Sequence, residues 1–246
     1  MTIFIAEIGL NHLGDEERAM QLLIEAVEAG ANGVTFQIQS PSYYDGSRPF
    51  RVALPKSFYK SAASMANKMG VQFGLAIHSA DVLKEHSFSN VDFWKILSME
   101  FANDQLVKAA VDSGRYTYLS TGVSSLEEIQ IKAKKYKDIN FVHTTLSEKV
   151  ADANISAIDT IKKTINNDIS FGLHSIDIRV AMLAMTFDLH SIFFYIKSIE
   201  ALDYPDNLHA IEINKLRDCI TDWNFAITAL GDGNKSIKNI PNWVYE

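Results

Sequence analysis

Several features that mark common protein classes are scarce or missing in this sequence. Its 246 residues include a single cysteine, Cys219, so no disulfide can form within the chain. No apolar run reaches the roughly 18 residues of a membrane span, and the opening residues MTIFIAEIG lack the basic start and long apolar core of a signal peptide. We therefore expect a cytoplasmic protein that is neither secreted nor membrane-bound.

Positive charge is also in short supply. The chain carries 23 Lys and Arg against 30 Asp and Glu, a net charge of −7, and has no basic block. Such a chain is poorly suited to bind nucleic acid or an anionic membrane. It also has no GxGxxG segment, which is the usual fingerprint of dinucleotide-binding sheets. These absences predict a small molecule as the main partner.

What the sequence does contain is an alternation of short apolar runs and longer amphipathic stretches. The runs are mostly without internal polar alternation, which is typical of parallel strands buried on both faces. Eight runs are predicted as strands: 3–8, 33–37, 72–77, 93–97, 116–120, 140–143, 169–173 and 191–196.

The stretches between the runs carry helix signals. Asp15 is placed to cap the first helix, and Ser125 with Glu128 forms a capping-box pattern before another. Glycines follow three of the predicted helices, where chains commonly leave a helix: Gly30, Gly70 and Gly114.

Eight strand–helix alternations predict an α/β protein with one closed (β/α)₈ TIM barrel, spanning 1–246 as a single domain. An open doubly wound sheet is the alternative. The long segment 38–53, with Tyr43, Tyr44 and Arg48, follows the second predicted strand. It is therefore expected on the carboxyl-terminal face, where barrels build their active sites.

Polar residues gather where the predicted strands end. Glu7 and Lys95 lie inside apolar runs, and burying an unpaired charge there would cost several kcal/mol. They are expected to pair with each other, to have a functional role, or both. A single histidine is more often a hydrogen-bonded loop residue than a ligand. The other candidates for substrate binding at these ends are Gln37, Thr121, His143, Thr145 and His174.

Several segments resemble motifs of the N-acetylneuraminate (sialic acid) synthase family. The most specific are IAEIGLNHLGD at 5–15, WKILSMEFAN at 94–103 and LSTGVSSLEEI at 119–129. Weaker matches are VTFQ at 34–37, LPKSF at 54–58, VHTT at 142–145 and ALGDGNK at 229–235, and all of them occur in the family's order.

The resemblance implies an enzyme of carbohydrate biosynthesis that condenses phosphoenolpyruvate with an N-acylated aldose. In that family a divalent Mn²⁺ or Mg²⁺ polarises the aldehyde as a Lewis acid. Matched motif by motif, the resemblance implies Glu7 as the acid/base candidate. It implies anion-binding roles for Lys95, Ser98 and Ser120, sugar-binding roles for Glu100 and Asp206, and substrate-side positions for Asn11, His12 and Lys235.

The sequence departs from the family at the donor and metal sites. The lysine of the family's VKFQ motif is Thr35 here, and its two metal-binding histidines align with Ile176 and Lys197. Isoleucine cannot bind a metal, and a lysine ammonium is a poor ligand. His174 alone would make a weak site for a hard cation. The sequence therefore predicts no residue as a metal ligand, and a divalent metal is only what the resemblance implies.

The chain ends eleven residues after Lys235, so the family's C-terminal antifreeze-like domain is expected to be absent. In the family that domain covers the sugar site of a second subunit. Here the site is expected to be open, covered by the 38–53 segment, or covered by a partner, including a second copy in a homodimer.

Three functions remain open from the sequence. The first is a synthase with a reworked donor site. The second is a lyase or aldolase that forms a Schiff base at Lys95 or Lys197, since a neighbouring cation or burial lowers a lysine pKa. The third is a sugar-binding relative without catalytic activity.

Overall fold

Eight parallel strands close into a barrel in the computed structural model, which describes residues 2–39, 53–88 and 90–235. Each strand pairs with its neighbours in chain order, and the pairing of the first with the eighth closes the ring. The predicted (β/α)₈ barrel is confirmed. The strands are β1 Ile3–Gly9, β2 Gly33–Gln37, β3 Gln72–Ile77, β4 Phe93–Ile96, β5 Tyr116–Ser120, β6 Ile139–His143, β7 Ile169–Leu173 and β8 Ser191–Lys197.

Helices follow the strands and surround them. The Asp15 side chain accepts a hydrogen bond from the Arg18 backbone at the start of the first helix, and Ser125 and Glu128 form the predicted capping box. Gly30 ends the first helix with φ 111°, a left-handed conformation that glycine adopts without a steric penalty. The helices are α1 Glu16–Ala29, α2 Lys56–Lys68, α3 Ala80–Glu85, α4 Asp104–Asp112, α5 Leu126–Lys135, α6 Ala157–Thr164, α7 Arg179–Ala184 and α8 Leu216–Leu230.

Two apolar layers hold this arrangement together. The larger lies between strands and helices, where Trp223 of α8 packs against Phe4 and Phe194 with ring centroids 5.6 and 5.0 Å apart. The smaller fills the barrel interior and consists of Ile5, Phe93, Tyr118, Val142 and Phe193, with Ile3 packed against it. The interior is thus a packed core and not a channel.

Above this apolar layer, toward the carboxyl ends of the strands, the inward-facing residues are mostly polar. Residues two apart on a strand point to the same side of a sheet. Glu7, Lys95, Ser120 and Tyr195 each follow an interior residue by two positions, so they face inward at the carboxyl ends of their strands. The polar floor of the barrel mouth therefore rests directly on the apolar core.

The last segment before α8 crosses the barrel mouth. A short strand, β9 Ile211–Glu212, pairs with Ile196 and Lys197 at the end of β8 and ties down the loop 198–210. Asn11 braces this loop, since its Nδ2 donates to the Ile196 carbonyl at 2.8 Å and its Oδ1 accepts from the Asp206 backbone at 3.2 Å.

Two sequence expectations fall at the edges of the described chain. Tyr43, Tyr44 and Arg48, from the segment expected to cover the site, lie outside the described residues. Within residues 2–39, 53–88 and 90–235, no helix combines the length and apolar character needed to cross a membrane.

Candidate active site

A buried ion pair forms the floor of the barrel mouth. The Lys95 Nζ lies 2.6 and 2.5 Å from the two carboxylate oxygens of Glu7, and the side chains are 5% and 3% exposed. The ammonium also lies 4.7 Å from the centroid of the Phe193 ring. The two charges therefore pair with each other, and they do so at the position where barrel enzymes bind substrates.

Three aromatic side chains stand next to this ion pair. His174 and His209 stack with ring centroids 5.1 Å apart at 25°, and the Tyr195 ring meets each of them edge-on, at 5.5 and 5.0 Å. Burial, with the positive charge of Lys95 as the second cause, lowers the pKa of His174 to about 3. His174 is therefore a neutral imidazole at physiological pH.

Asp206 faces the same space from the loop after β8. Its carboxylate lies close over Gly9, where an added Cβ would be 3.2 Å from Oδ2 and 2.9 Å from the Tyr195 ring. Burial and the nearby charge of Glu7 raise the pKa of Asp206 to about 7. The mouth therefore holds a carboxyl group that exchanges its proton near neutral pH.

Hydroxyl and carboxyl groups predicted for the substrate lie on the neighbouring strands and on the 3₁₀ turn Ser98–Glu100 that follows β4. Ser120 ends β5 and is 3% exposed, and Ser98 accepts a hydrogen bond from the Gly122 backbone at 3.1 Å. Glu100 accepts from Asn103 at 2.9 Å. Thr35, in register with Glu7, has a buried hydroxyl with no hydrogen-bond partner among the described residues.

Other predicted residues, for substrate binding or for catalysis, make structural bonds or lie away from the mouth. Asn11 and His12 are fully buried, so neither presents a side chain to a ligand in this conformation. The Lys197 ammonium donates to the carbonyl and side-chain oxygens of Asn207, at 2.8 and 2.7 Å. Lys235 is exposed and follows the end of α8, and helices of a barrel run back toward the amino-terminal face. The structure thus gives no support for Lys235 at the mouth.

A separate crevice holds another group of predicted residues. Thr121, His143 and Thr145 line a cavity of about 470 Å³ beside α5 and α6. Within it, Thr121 donates to the Val142 carbonyl, and the His143 Nε2 lies 3.1 Å from the Ala153 carbonyl. Gln37 ends β2 two residues after Thr35, so it shares the inward side of that strand.

Sequence reasoning missed three residues that meet at the mouth. His209 and Glu148 come from loops, and Tyr195 lies near the end of β8. His209 follows Asp206 by three positions, which was the one available signal. Loop residues have no strand alternation, so their orientation could not be derived from spacing.

The side chains at the expected ligand positions do not fit the divalent metal that the resemblance implied. At the two aligned positions, Lys197 donates through its ammonium and Ile176 is an exposed apolar residue. Across residues 2–39, 53–88 and 90–235, no three His, Cys, Asp or Glu side chains are grouped so as to hold a metal ion. Hard divalent cations require several such oxygen or imidazole ligands.

Comparisons with known proteins agree with this barrel and its motifs. The N,N'-diacetyllegionaminic acid synthase of Legionella pneumophila is 24% identical over 270 residues, covering 96% of this chain and 75% of that protein. The pseudaminic acid synthase of Campylobacter jejuni is 25% identical over 273 residues, covering 96% and 78%.

A solved structure matches the fold closely. The N-acetylneuraminic acid synthetase of Leptospira borgpetersenii superposes with a TM-score of 0.88 at 26% identity, covering 96% of this chain and 87% of that one. The profile of the NeuB family matches residues 38–235, which is well over half of the chain. On these grounds, the protein with this reworked barrel mouth belongs to the NeuB family.

Proposed function

We propose that this protein condenses phosphoenolpyruvate with an N-acylated aldose to form a nonulosonate-type sugar acid. The observation that carries the proposal is the buried Lys95 ammonium on the floor of the mouth, with the hydroxyl of Ser120 on the next strand. A buried cation with hydroxyl groups nearby suits a donor that carries both a carboxylate and a phosphate.

Each end of the mouth suits one substrate. Lys95 has three N–H groups, so a donor anion can share the ammonium with Glu7. Asp206 and Glu100 supply carboxyl groups that suit the hydroxyls and the acylated nitrogen of the sugar. The reaction then forms a bond from the donor C3 to the acceptor's carbonyl carbon. Water adds at the donor C2, and phosphate leaves.

The part of the mouth that binds phosphoenolpyruvate has one positive charge fewer than the family motif would supply. Thr35 replaces a lysine, and one hydrogen bond to a charged group is worth about 1.5–3 kcal/mol. We therefore expect the KM for phosphoenolpyruvate to be about ten- to a hundredfold higher in the unmodified protein than in the Thr35→Lys variant. The Thr35 hydroxyl is buried and has no hydrogen-bond partner in the described part of the chain, so it remains available to the donor.

The geometry favours this reaction over a Schiff-base lyase. A lysine attacks a carbonyl through a free lone pair. The Lys95 ammonium donates to both oxygens of Glu7, and that of Lys197 donates to two oxygens of Asn207. Each nitrogen would have to leave two oxygen acceptors before it could attack a carbonyl. A binding protein without catalysis is the remaining alternative.

The test is phosphate release from phosphoenolpyruvate with a panel of N-acylated aldoses, combined with mass detection of the product. The expected result is release that depends on the sugar, and its loss in Lys95→Met. Lys108→Met is the matched control, because its ion pair with Asp112 is exposed and far along α4 from the mouth.

Other outcomes would redirect the assignment. Sugar binding without release by the unmodified protein would argue for the non-catalytic relative. A lysine labelled by borohydride in the presence of pyruvate or a ketose would argue for the lyase. Release that persists in Lys95→Met would remove the residue on which the proposal rests.

We also infer the setting of the reaction. A cytoplasmic location agrees with the single buried thiol, Cys219. A homodimer or a partner subunit would cover the mouth, and light scattering of the purified protein tests the homodimer.

A further inference from the structure

His209 is a largely buried histidine, and its two buried ring nitrogens have no hydrogen-bond partner among the described residues. Its side chain is 10% exposed. Nδ1 lies 3.5 Å from Glu148 Oε1, and Nε2 lies 3.8 Å from Asp206 Oδ1. Catalytic hydrogen bonds are often long before the substrate binds. His209 thus stands between two carboxyl groups that approach from different loops.

The two flanking groups determine which nitrogen carries the proton. The Glu148 carboxylate is the closer one, and its negative charge favours a hydrogen on the facing Nδ1. Nε2 then presents a lone pair to Asp206. Burial lowers the pKa of His209, so the ring is neutral at physiological pH. A lone pair on Nε2 can accept a hydrogen bond from Asp206 only if the Asp206 carboxyl group carries a hydrogen.

Most of the groups around Asp206 also favour its neutral form, and Lys95 is the exception. Burial and the charge of Glu7 on β1 raise the pKa of Asp206 to about 7, while Lys95 on β4 opposes them. Tyr195 on β8 is fully enclosed beside it, with its pKa raised by burial and by the same two carboxyl groups.

The remaining neighbours of His209 are a base and a cation. His174 on the loop after β7 stacks on the ring and is neutral at physiological pH, since its pKa is lowered to about 3. The Lys197 ammonium lies near enough to lower the pKa of His209 further. The Lys197 ammonium has no lone pair and cannot accept the Asp206 hydrogen.

We propose that Asp206 in its neutral form, held beside His209, is the catalytic acid that protonates the acceptor's carbonyl oxygen. This inference rests on the proposed function and assigns to a carboxyl group the polarising role for which the metal ligands do not fit. The Asp206 side chain is 21% exposed, so it is accessible from the mouth.

The proton balance of the step is complete. The donor C3 forms a bond to the acceptor's carbonyl carbon, and the C–O π bond breaks. Its electron pair takes the proton of Asp206, which becomes a carboxylate. The C2=C3 π electrons of the donor form the new bond, which leaves C2 electron-deficient. Water adds at C2 and releases one proton, which returns to Asp206. The C2–O bond to phosphate then breaks, and the second proton of the water passes to the leaving phosphate as C2 becomes a carbonyl. No further reactant is needed.

The experiment measures sugar-dependent product formation against pH, with a chelator present throughout. For the unmodified protein we expect activity that survives the chelator and a kcat/KM that falls above about pH 7, where the acid form is lost. Asp206→Asn keeps the size and a hydrogen donor but cannot release a proton. It should lose about a hundredfold or more in kcat and show no fall near pH 7.

His209→Phe is the positioning control. It keeps the ring that stacks on His174 and meets Tyr195, and removes both nitrogens. Without an acceptor for its hydrogen, the neutral form of Asp206 is less favoured, so the fall in kcat/KM should move to lower pH. The KM for phosphoenolpyruvate should change by less than about twofold, because the donor binds at Lys95.

The outcomes separate the two proposals. A protein that makes no product under any condition overturns the synthase function, and this inference with it. Activity that the chelator abolishes and Mn²⁺ restores overturns only the inference. So does an Asp206→Asn variant that binds sugar less tightly but keeps the fall near pH 7, since that result leaves Asp206 as a sugar-binding group.

Discussion

The Phe93 ring on β4 occupies the space where a side chain at Gly74 on β3 would begin. An added Cβ at Gly74 would lie 2.0 Å from the Phe93 Cε2, and the two residues are paired in register. Glycine at this position lets the ring enter the barrel interior, where it meets Tyr118 edge-on at 5.3 Å. The floor beneath Lys95 depends on this close approach.

Gly74→Ala should therefore destabilise the protein by overpacking its interior. Forcing a methyl group into a filled core costs about 1–3 kcal/mol, and here the obstacle is a rigid ring. Urea denaturation at pH 7 measures the loss. Phe93→Leu in the same chain should recover part of it, and no recovery would mean that the ring is not the obstacle.

Removing only one charge of the ion pair between Glu7 and Lys95 should destabilise the protein much more than removing both. Lys95→Met leaves a buried, unpaired carboxylate and should cost about 3–5 kcal/mol of unfolding free energy. Adding Glu7→Gln removes that charge and should restore most of the loss. Lys108→Met, at a pair whose side chains are 66% and 59% exposed, should change stability by less than about 1 kcal/mol. Equal losses at both lysines would contradict the buried-pair geometry.

His12 should make the protein less stable in acid. Burial, with Arg18 as the second cause, lowers its pKa to about 4. The unfolded chain takes up a proton below about pH 6.5 and the folded chain does not, so the stability is present above that pH and is lost as pH falls toward 4. Between pH 7 and 5 the unmodified protein should lose about 2 kcal/mol more than His12→Asn.

The choice of asparagine preserves a local bond. The Gly14 backbone donates to the His12 Nδ1 at 2.9 Å, and an asparagine oxygen can accept from the same donor. Stability curves of the two proteins that run parallel across this range would contradict the prediction.

Asp206 should affect stability in the opposite direction. Its folded pKa is raised from 3.8 to about 7, so the unfolded chain loses its proton first as pH rises. The neutral variant Asp206→Asn should be more stable than the unmodified protein at pH 8, and the difference should vanish below about pH 4. Thermal denaturation across this range measures it. A variant that is less stable at pH 8 would mean that the carboxylate is well solvated or well paired.

The barrel could be predicted from the sequence because its strands are buried on both faces. All eight predicted runs are strands, with small shifts at their ends. The fourth was predicted to reach Leu97 but ends at Ile96, because a 3₁₀ turn begins at Ser98. A turn of this kind depends on bonds to distant groups, such as that from Gly122 to Ser98, which local patterns do not contain.

The site was only partly predictable, because some of its residues are positioned by contacts with parts of the chain that are distant in the sequence. Alternation along a strand is enough to direct Glu7 and Lys95 inward, and an unpaired charge there requires a partner. His209 lies in a loop that the pairing of β9 with β8 holds in place, and it meets Tyr195 edge-on at the mouth. Asn11 and His12, which motif matching assigned to the substrate, are fully buried, and Asn11 bonds the loop that carries Asp206.

The bonds of Asn11 also bear on the order in which the protein is made. This residue follows the first strand, and its two partners, Ile196 and Asp206, are 185 and 195 residues away. During synthesis, the hydrogen bonds of Asn11 cannot form until almost the entire chain has emerged, and contacts between residues so far apart in sequence form slowly. A ribosome-bound chain stopped before the last strand would therefore leave the Asn11 side chain without both of the partners that it has in the folded barrel.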